Sequence, residues 1–300
     1  TCGYYTLTAD FDPGVGTYDL TSAGSNDIFI SKLDAAGNFL WAKSMGGINE
    51  DQGNSIALDD SGNVYISGYY KGTADFDPGV GISNLTSIGY QGVFISKLDT
   101  DGNFIWAKSL SGTGNGNDVV YSFSLALDKA GNVYSTGQFF GTIDFDPGPG
   151  TFMLTDTMHR DGFISKLDAA GNFVWAKSVD GNNYTYIKSI ALGDSGNIYT
   201  TGYFWGTADF DPGAGTNNLS SAGFNDNFIL KLDSAGNFVW AKRMGGTSGE
   251  NSIDIALDSA GNVYTTGNFS GTMDFDPGPG TFILSGLGLI QQSYSLFCRS

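Results

Sequence analysis

Hydrophobic and polar residues alternate along most of this chain with the two-residue period of a β-strand. In the segment Val-Phe-Ile-Ser-Lys-Leu, for example, Phe94 and Ser96 would face one side of a strand and Ile95 the other. The 3.6-residue period of a helix is absent. Short turn-forming runs, such as Asp-Ser-Gly-Asn at residues 60–63, separate the alternating segments. The pattern therefore predicts tight antiparallel hairpins.

A unit of about 65 residues is copied along the chain, and two short markers recur in it. The tetrapeptide Phe-Asp-Pro-Gly begins at Phe11, Phe76, Phe145, Phe210 and Phe275. The tripeptide Trp-Ala-Lys begins at Trp41, Trp106, Trp175 and Trp240 and keeps the same spacing. One interval of each marker is four positions longer than the others, between the second and the third copy. A fixed period of this kind is the sequence signature of a repeat architecture.

Each copy contains four predicted strands, which we call A, B, C and D in chain order. A and B form one hairpin, a long excursion through Phe-Asp-Pro-Gly follows, and C and D form a second hairpin. The predicted strand sets cover residues 27–44, 54–110, 121–178, 187–243 and 252–270. Four antiparallel strands per unit are typical of a propeller blade, and neighbouring blades stack to bury their apolar faces. The sequence therefore predicts an all-β fold, a β-propeller, as a single repeat domain over residues 1–300.

The number of blades stays open at this point. The pattern indicates four strands of each kind, or about four blade equivalents. Strands from the two chain ends could complete one blade and close a ring. Residues 1–26 and 262–288 both repeat the end of strand B and its excursion, so the chain could also be an open stretch of a larger propeller. The pattern is lost after Gly288, and residues 289–300 are expected to form an atypical tail.

Three motifs in combination resemble those of a known family, the bacterial β-propeller repeat proteins of the SBBP type. They are Lys-Leu-Asp-x-x-Gly-Asn from Lys32, Lys97, Lys166 and Lys231, Gly-Asn-Val/Ile-Tyr from Gly62, Gly131, Gly196 and Gly261, and the Ser/Thr-Gly that follows. The resemblance covers about residues 1–288. It implies a secreted or surface-exposed bacterial propeller, commonly a module of a large protein without an assigned activity. The Phe-Asp-Pro-Gly variant looks similar to that of Bacteroidetes-type bacteria.

The acidic composition narrows the range of partners. The chain has 31 acidic and 14 basic residues and a net charge of −17, and all but two of the acidic residues are Asp. Phosphate binding needs clusters of Lys or Arg, so nucleic acid and anionic membranes are not expected as partners. No apolar run is long enough to span a membrane. The chain begins at Thr1 in the middle of a repeat, and we expect it to be part of a longer polypeptide whose targeting segment lies upstream.

The two cysteines, Cys2 and Cys298, lie at opposite ends of the chain and outside the repeat pattern. A disulfide between them requires a fold that brings the two ends together, and the sequence leaves this pairing open. So few cysteines are compatible with either a reducing or an oxidising compartment.

Each Asp-Phe-Asp-Pro-Gly motif contains two carboxylates that would point to the same side of a strand-like segment. The pairs are Asp10 and Asp12, Asp75 and Asp77, Asp144 and Asp146, Asp209 and Asp211, and Asp274 and Asp276. Together with loop carbonyl oxygens they could ligate calcium, the one cofactor that the sequence suggests. The alternative is structural: one Asp caps the Pro-Gly turn and the other holds the adjacent hairpin. The motif lacks the third oxygen ligand and the distal Glu of a calcium loop, which favours the structural alternative.

The excursions and the D-to-A links are expected on one side of the repeats, and that side is the candidate binding surface. Long loops on a rigid scaffold usually bind partners. Glu50, Asp51 and Glu250 lie on these links and are the candidate acidic ligand-binding residues. Trp205 replaces Lys71 of another copy, so we also predict it as an exposed aromatic contact.

The sequence favours binding over catalysis. His159 is the only histidine, which excludes multi-histidine metal sites, and we expect it to be a solvated loop residue. Nucleophile elbows and phosphate-binding glycine loops are absent, so no catalytic residue is assigned. We therefore expect a non-enzymatic scaffold, extracellular or on the bacterial cell surface, that binds a protein or a glycan. The alternatives are a polysaccharide hydrolase or lyase that uses loop carboxylates, and a structural spacer in a large adhesin.

Overall fold

The computed structural model describes residues 1–114, 116–286 and 292–298, and their regular secondary structure is β-strand. The strands are β1 (Cys2–Asp10), β2 (Asp19–Leu33), β3 (Phe39–Gly47), β4 (Gln52–Leu58), β5 (Val64–Tyr70), β6 (Thr73–Asp75), β7 (Asn84–Thr86), β8 (Gly92–Leu98), β9 (Phe104–Gly112), β10 (Val119–Leu127), β11 (Val133–Asp144), β12 (Met153–Leu167), β13 (Phe173–Gly181), β14 (Thr185–Leu192), β15 (Ile198–Asp209), β16 (Asn218–Leu232), β17 (Phe238–Gly246), β18 (Glu250–Leu257), β19 (Val263–Phe269), β20 (Thr272–Asp274), β21 (Ile283–Ser285) and β22 (Gln292–Cys298). The prediction of an all-β fold is confirmed. Within these described residues there is no helix that could cross a lipid bilayer.

Contacts divide the chain into two compact units, and each contains a hydrophobic core. The first unit contains Thr1–Val133, Gly141–Thr155 and Lys166–Val174. The second unit contains Tyr134–Phe140, Asp156–Ser165 and Trp175–Ser300. Because β11, β12 and β13 contribute residues to both units, the boundaries of the sequence repeats do not coincide with those of the units.

Each unit contains a complete copy of the predicted four-stranded antiparallel sheet. In the first unit the order is β4-β5-β8-β9, and in the second it is β14-β15-β16-β17. Tyr65 pairs with Ala57 on one side and with Lys97 on the other, so strand B lies between A and C. The order A-B-C-D is that of a propeller blade. The predicted repeat unit is therefore present in the backbone pairing.

Both chain ends supply strands beyond the four complete sets, of which the pattern indicated only the end of the first strand B. β1 pairs with β2 as strand B of a first copy, and β22 pairs with β19 as strand C of a last copy. The described residues thus contain five B and five C strands, where the pattern indicates four of each. Gly267 pairs with Tyr294 as Gly202 pairs with Phe228, so the last strand C is displaced by one position from the regular repeat. This displacement hid the strand in the expected tail at 289–300; of that tail, only 292–298 are described.

The excursion between strands B and C is a two-stranded ribbon and not an irregular loop. In the first unit β6 pairs with β7, and in the second β20 pairs with β21. Each ribbon also pairs with the end of the preceding strand D, where Gly47 lies opposite Ala74 and Gly246 lies opposite Met273. A Cβ on Gly47 would lie 2.2 Å from the carbonyl oxygen of Thr73, so this approach requires glycine. The ribbon therefore joins each copy to the copy before it.

The phenylalanine of Phe-Asp-Pro-Gly anchors the ribbon in an aromatic cluster. Phe76 is fully buried, and its ring centroid lies 5.3 Å from that of Tyr70 and 4.8 Å from that of Phe94. The same cluster recurs around Phe210 in the second unit. Burial of such a side chain stabilises the fold by roughly 1.5–3 kcal/mol. The most regular marker in the sequence is therefore a core residue.

One carboxylate closes every A-to-B and C-to-D turn except the turn that begins at Gly193. In the turn at Asp59, Oδ1 accepts hydrogen bonds from the backbone N–H groups of Ser61 and Asn63, and Oδ2 accepts one from the Asn63 side chain. The turn at Gly193 differs from this pattern. Its backbone hydrogen bond to Asn197 is kept at 2.9 Å, but glycine supplies no carboxylate.

Leu7 has a backbone conformation that suits glycine. Its φ is +58°, in the left-handed region, and it shortly precedes Asp10 of the first Asp-Phe-Asp-Pro-Gly motif. The other copies have glycine with positive φ at this position: Gly72, Gly141, Gly206 and Gly271. A Cβ in this region costs roughly 1–2 kcal/mol. The Leu7 side chain is 76% exposed, so burial does little to offset that strain.

Replacing Gly193 with Asp should restore the missing turn cap. A hydrogen bond contributes roughly 0.5–1.5 kcal/mol net, so we expect Gly193→Asp to raise the free energy of unfolding, measured by urea titration, by about 1 kcal/mol. A Cβ on Gly193 would lie 3.3 Å from the Tyr199 ring edge and 3.8 Å from the Asn197 carbonyl oxygen, so a small shift of the ring makes room for it. Gly193→Ala is the control, because it adds the same Cβ without a carboxylate. Equal stability of the two variants would contradict the capping role.

Replacing Leu7 with Gly should relieve backbone strain. We expect Leu7→Gly to raise the free energy of unfolding by about 1 kcal/mol, since glycine adopts positive φ without steric cost. Leu40→Gly is the matched control, because Leu40 is 50% exposed on β3 and is not among the residues with positive φ. That control should lose stability through the entropy of the unfolded chain. A loss of stability in both variants would count against strain at Leu7.

Candidate functional site

The D-to-A links contact the beginnings of strands C on one side of each sheet. In the first unit the Asp51 N–H donates to the Asn26 carbonyl at 2.8 Å. In the second unit the Phe224 N–H donates to the Ser248 carbonyl at 3.2 Å. Within each unit, a D-to-A link and the segment before a strand C therefore touch on the side that the sequence predicts as the binding surface.

Three positions on this side are filled differently in the two units. In the first unit they are Glu50 on the link, Lys71 after strand B and Tyr90 before strand C. The residues at the same repeat positions of the second unit are Tyr184, Trp205 and Phe224. We call each set a loop triplet. Since the surrounding strands are equivalent, the triplets differ in side-chain chemistry on the same backbone framework.

The loop triplet of the first unit is built on an ion pair. Lys71 Nζ lies 2.5 Å from Glu50 Oε2, and it also donates a hydrogen bond of 3.2 Å to the Tyr90 hydroxyl. The same ammonium lies 4.7 Å from the centroid of the Tyr90 ring. Burial lowers the pKa of Lys71, but the hydrogen bonds from Lys71 to Glu50 and Tyr90 outweigh burial and raise it overall. The Glu50 side chain is 47% exposed, so this predicted residue is accessible to a partner.

The loop triplet of the second unit is aromatic. The Trp205 ring centroid lies 5.8 Å from that of Tyr184 and 6.3 Å from that of Phe224. Tyr184 also stacks on Tyr186 at 5.1 Å with an angle of 19° between the rings, and Tyr186 contacts Tyr203 edge-on. Trp205 is 38% and Phe224 is 67% exposed, so aromatic surface remains open to solvent. The predicted exposure of Trp205 matches its position in the structure.

Hydrogen bonds fix the orientation of Tyr184. Its hydroxyl donates to Oδ1 of Asn225, whose Nδ2 donates to Oδ1 of Asn251 at 3.1 Å. Asn251 Nδ2 in turn donates to Oδ1 of Asn268 at 3.3 Å. Burial raises the pKa of Tyr184 and raises that of Tyr203 to about 12, so both phenols are neutral at physiological pH. The aromatic surface is therefore held in place by an uncharged polar network.

A cleft of about 340 Å³ lies beside this aromatic surface in the second unit. It is lined by Phe140, Met158, His159, Arg160, Asn183, Tyr184 and Tyr186. Phe140 and His159 occupy the same repeat positions as Trp205 and Phe224, one copy earlier. His159, expected to be a solvated loop residue, is half-buried in the cleft wall. The sequence signal for this cleft is found by aligning the copies, which places Phe140 and His159 at two of the triplet positions.

Asp51 and Glu250, two of the predicted ligand-binding residues, are fully buried. Asp51 Oδ2 accepts a hydrogen bond from the Gly47 N–H at 2.7 Å, and its Oδ1 accepts one from the Lys71 N–H at 3.2 Å. Glu250 Oε2 accepts one from the Gly246 N–H at 3.1 Å. In the structure both side chains lie beneath their D-to-A links and accept hydrogen bonds from the backbone there. Of the four predicted ligand-binding residues, Glu50 and Trp205 are the two that reach the surface.

A second buried carboxylate lies near each of these acids. Burial raises the pKa of Asp51 to about 7, and the negative charge of Asp27 adds to the effect. Burial also raises the pKa of Glu250 to about 7, with Asp226 as its acidic neighbour. Arg243 Nη1 donates to Asp226 Oδ2 at 2.7 Å. Both carboxylate pairs are buried beneath the loops, where their protonation changes the stability of the fold.

The two aspartates of each Asp-Phe-Asp-Pro-Gly motif bind backbone amides. Asp75 Oδ1 accepts hydrogen bonds from the N–H groups of Asp77 and Ser83 at 3.0 and 2.8 Å, and Asp77 Oδ1 accepts one from Gly79 at 2.8 Å. The other four motifs make the same bonds. These contacts support the structural alternative. The described residues contain no group of three or more His, Cys, Asp or Glu arranged for a metal ion, and calcium stays a prediction.

Cys2 forms no disulfide with any described side chain. Burial raises its pKa, so a smaller fraction of the Cys2 side chain is the reactive thiolate at neutral pH. The Cys298 side chain lies outside the described residues, so the pairing that the sequence left open is still open.

Comparison with known proteins identifies the repeat. A family model described as "Beta-propeller repeat", of the SBBP type, matches residues 41–72, which run from the Trp-Ala-Lys marker through strands A and B. The chain therefore carries a β-propeller repeat of this type, and the resemblance found in the motifs is confirmed. The assignment of the Phe-Asp-Pro-Gly variant to Bacteroidetes-type bacteria stays a prediction.

Similar proteins include two that are much longer than this chain. An uncharacterized WD repeat-containing protein of Acanthamoeba polyphaga mimivirus is 27% identical over 256 residues, which cover 75% of this chain and 18% of that protein. The regulatory protein FlaEY of Caulobacter vibrioides is 26% identical over 124 residues, which cover 40% of this chain and 13% of that protein. This chain thus spans less than a fifth of either relative. A crystal structure of a Bacteroides caccae protein of unknown function is 13% identical in sequence, with a TM-score of 0.22. The aligned region covers 75% of this chain and 92% of the Bacteroides caccae chain.

The free energy of unfolding should fall as pH rises from about 4 to about 8. The pKa values of Asp51 and Glu250 are raised to about 7 and that of Asp161 to about 8, chiefly by burial. Unfolded carboxyl groups titrate near pH 4, so the folded state binds more protons between these values. The stability that these three buried acids contribute is therefore fully present below about pH 4, and it is lost as pH rises through 7 to 8. Urea titrations across this range measure the slope.

Two substitutions separate this effect from other titrations. Asp51→Asn should reduce the slope, because the side chain is neutral at every pH. Asp34→Asn is the control: hydrogen bonds from the Asn38 side chain and backbone lower the pKa of Asp34, so its contribution is constant above about pH 4 and is lost below it. An unchanged slope in Asp51→Asn would contradict the role of the buried acid.

Proposed function

We propose that this chain, which carries β-propeller repeats, is a non-enzymatic scaffold that binds a protein or a glycan through its loop triplets and adjacent links. One observation supports this above the others. Equivalent strands present an ion pair around Lys71 in one unit and an aromatic surface around Trp205 in the other. Variation limited to accessible loop positions is the usual arrangement of a binding protein on a rigid framework.

The contacts of the loop acids favour binding over hydrolysis. A glycosidase needs two carboxyl groups that can reach the scissile bond. Asp51 and Glu250 are fully buried and bond to backbone amides, and Glu50 is neutralised by Lys71. The exposed loop-triplet side chains of the second unit, Trp205 and Phe224, are aromatic, and such side chains add large, rigid contact area to binding surfaces.

We further propose that the chain is one module of a larger protein that acts outside the cell or on the bacterial surface. The length of the two curated relatives supports the modular arrangement, since this chain spans 18% and 13% of them. The net charge of −17 suits a soluble surface that repels nucleic acid and anionic lipid.

A glycan array, a protein array and a polysaccharide-degradation assay on the same purified chain test the function. We expect specific retention on one of the arrays and no release of new reducing ends. Trp205→Ala should reduce the retention severalfold. Asp60→Asn, in an A-to-B turn at the other end of a sheet, should leave it unchanged.

Two results would overturn the proposal. Release of reducing ends that Glu50→Gln or Glu250→Gln abolishes would identify a hydrolase or lyase. Absence of specific retention on both arrays would identify a structural spacer.

A further inference from the structure

One copy of the repeat departs from the others before strand C. Its ribbon is followed by Met158, His159 and Arg160. At the corresponding positions the other copies read Gly24-Ser25-Asn26, Gly89-Tyr90-Gln91 and Gly223-Phe224-Asn225. A small residue and a neutral amide are thus replaced by a large apolar side chain and a cation. All three residues line the 340 Å³ cleft of the second unit, and this volume lies in the usual range of ligand pockets, roughly 300–1,000 Å³.

Two tyrosines give this cleft an aromatic lining. Tyr184 and Tyr186 are stacked with an angle of 19° between their rings, and both line the cleft. The hydroxyl of Tyr184 is bound to Asn225, so the ring cannot turn freely. Asn183 adds an amide to the wall. A ligand that fits here needs a flat, weakly polar face for the rings and polar groups at its edge.

The cleft also contains a cation in a strongly acidic chain. Arg160 is exposed, and no described residue forms an ion pair with it. By contrast, Lys71 in the first unit is occupied by Glu50. A guanidinium presents a planar set of N–H donors that matches a carboxylate through two parallel hydrogen bonds. The charge of the cleft therefore favours a ligand with a carboxylate.

We infer that this cleft binds an oligosaccharide that contains uronic acid, with Arg160 on a carboxylate and a sugar ring packed against the Tyr184–Tyr186 pair. This inference rests on the proposed binding function and names the ligand class for one site. The C–H face of a pyranose ring is flat and weakly polar, and its hydroxyl groups lie at the edge, where Asn183 and the tyrosine hydroxyls can hydrogen-bond to them. An acidic peptide shares the charge but lacks the flat ring that the stacked tyrosines match.

Calorimetric titration with a galacturonate oligosaccharide and with its methyl ester tests the inference. The acid should bind about tenfold more tightly than the ester, which corresponds to about 1.4 kcal/mol, because only the carboxylate accepts charge-assisted hydrogen bonds from Arg160. The preference should decrease at high salt, since the site is open to solvent. Poly-glutamate is the competing probe, and it should bind more weakly than the sugar acid.

Substitutions by residues that other copies carry keep the fold intact. Arg160→Gln introduces the residue found at Gln91 and should remove the preference for the acid over the ester. Tyr186→Asn introduces the residue found at Asn251 and should weaken the binding of both sugars. Tyr121→Asn is the matched control, because Tyr121 occupies the same repeat position in the first unit and should not affect either sugar.

The outcomes distinguish this inference from the proposed function. Equal affinity for acid and ester, unchanged affinity in Arg160→Gln, equal effects of Tyr121→Asn and Tyr186→Asn, or tighter binding of poly-glutamate would overturn the uronic acid site. None of these results affects the scaffold function, which depends on specific retention without turnover. Retention of other glycans or of proteins would then leave the scaffold function standing with a different ligand.

Discussion

The insertion of one phenylalanine between strands B and C is the interaction on which each copy of this fold depends. Phe76 is fully buried against Tyr70 and Phe94, and its neighbours Asp75 and Asp77 bind the backbone amides of the turn that follows. Loss of such a ring costs roughly 3–5 kcal/mol, which is large compared with the roughly 5–15 kcal/mol of a typical domain. Because the same segment pairs with the preceding strand D, one local motif both fills the core of a copy and joins it to its neighbour.

This constraint leaves the loop side free to vary. The ribbon, the paired strands and the aspartate-capped turns are satisfied by backbone groups and by residues that recur in every copy. The loop triplets lie outside this set of contacts, so Glu50 and Lys71 can be exchanged for Tyr184 and Trp205 without a change in the strands. A framework whose stability does not depend on its surface loops can present different chemistry in successive copies.

The acidic residues of the chain lie in two opposite environments. The turn aspartates such as Asp34 are exposed, and hydrogen bonds to their ionised form lower their pKa. The link acids Asp51 and Glu250 are buried, and burial raises their pKa to about 7. The first group stabilises the fold when charged and the second when neutral. Asp and Glu residues at similar loop positions in the sequence therefore have different roles, and neither role requires a ligand.

The sequence by itself determined the all-β fold, the four-stranded unit and the tight turns, and it favoured a structural role for the Phe-Asp-Pro-Gly aspartates. Alternation and turn residues record the strands and hairpins, and the fixed period records the unit that they form. Only the tertiary structure showed that the excursion is a ribbon paired with the strand D before it, because long-range backbone bonds impose no periodicity on side chains. Burial of Asp51 and Glu250 was also invisible in the sequence, since it depends on the links that cover them. The cleft between Arg160 and the stacked tyrosines exists only because separate strands bring together residues that are distant in the chain.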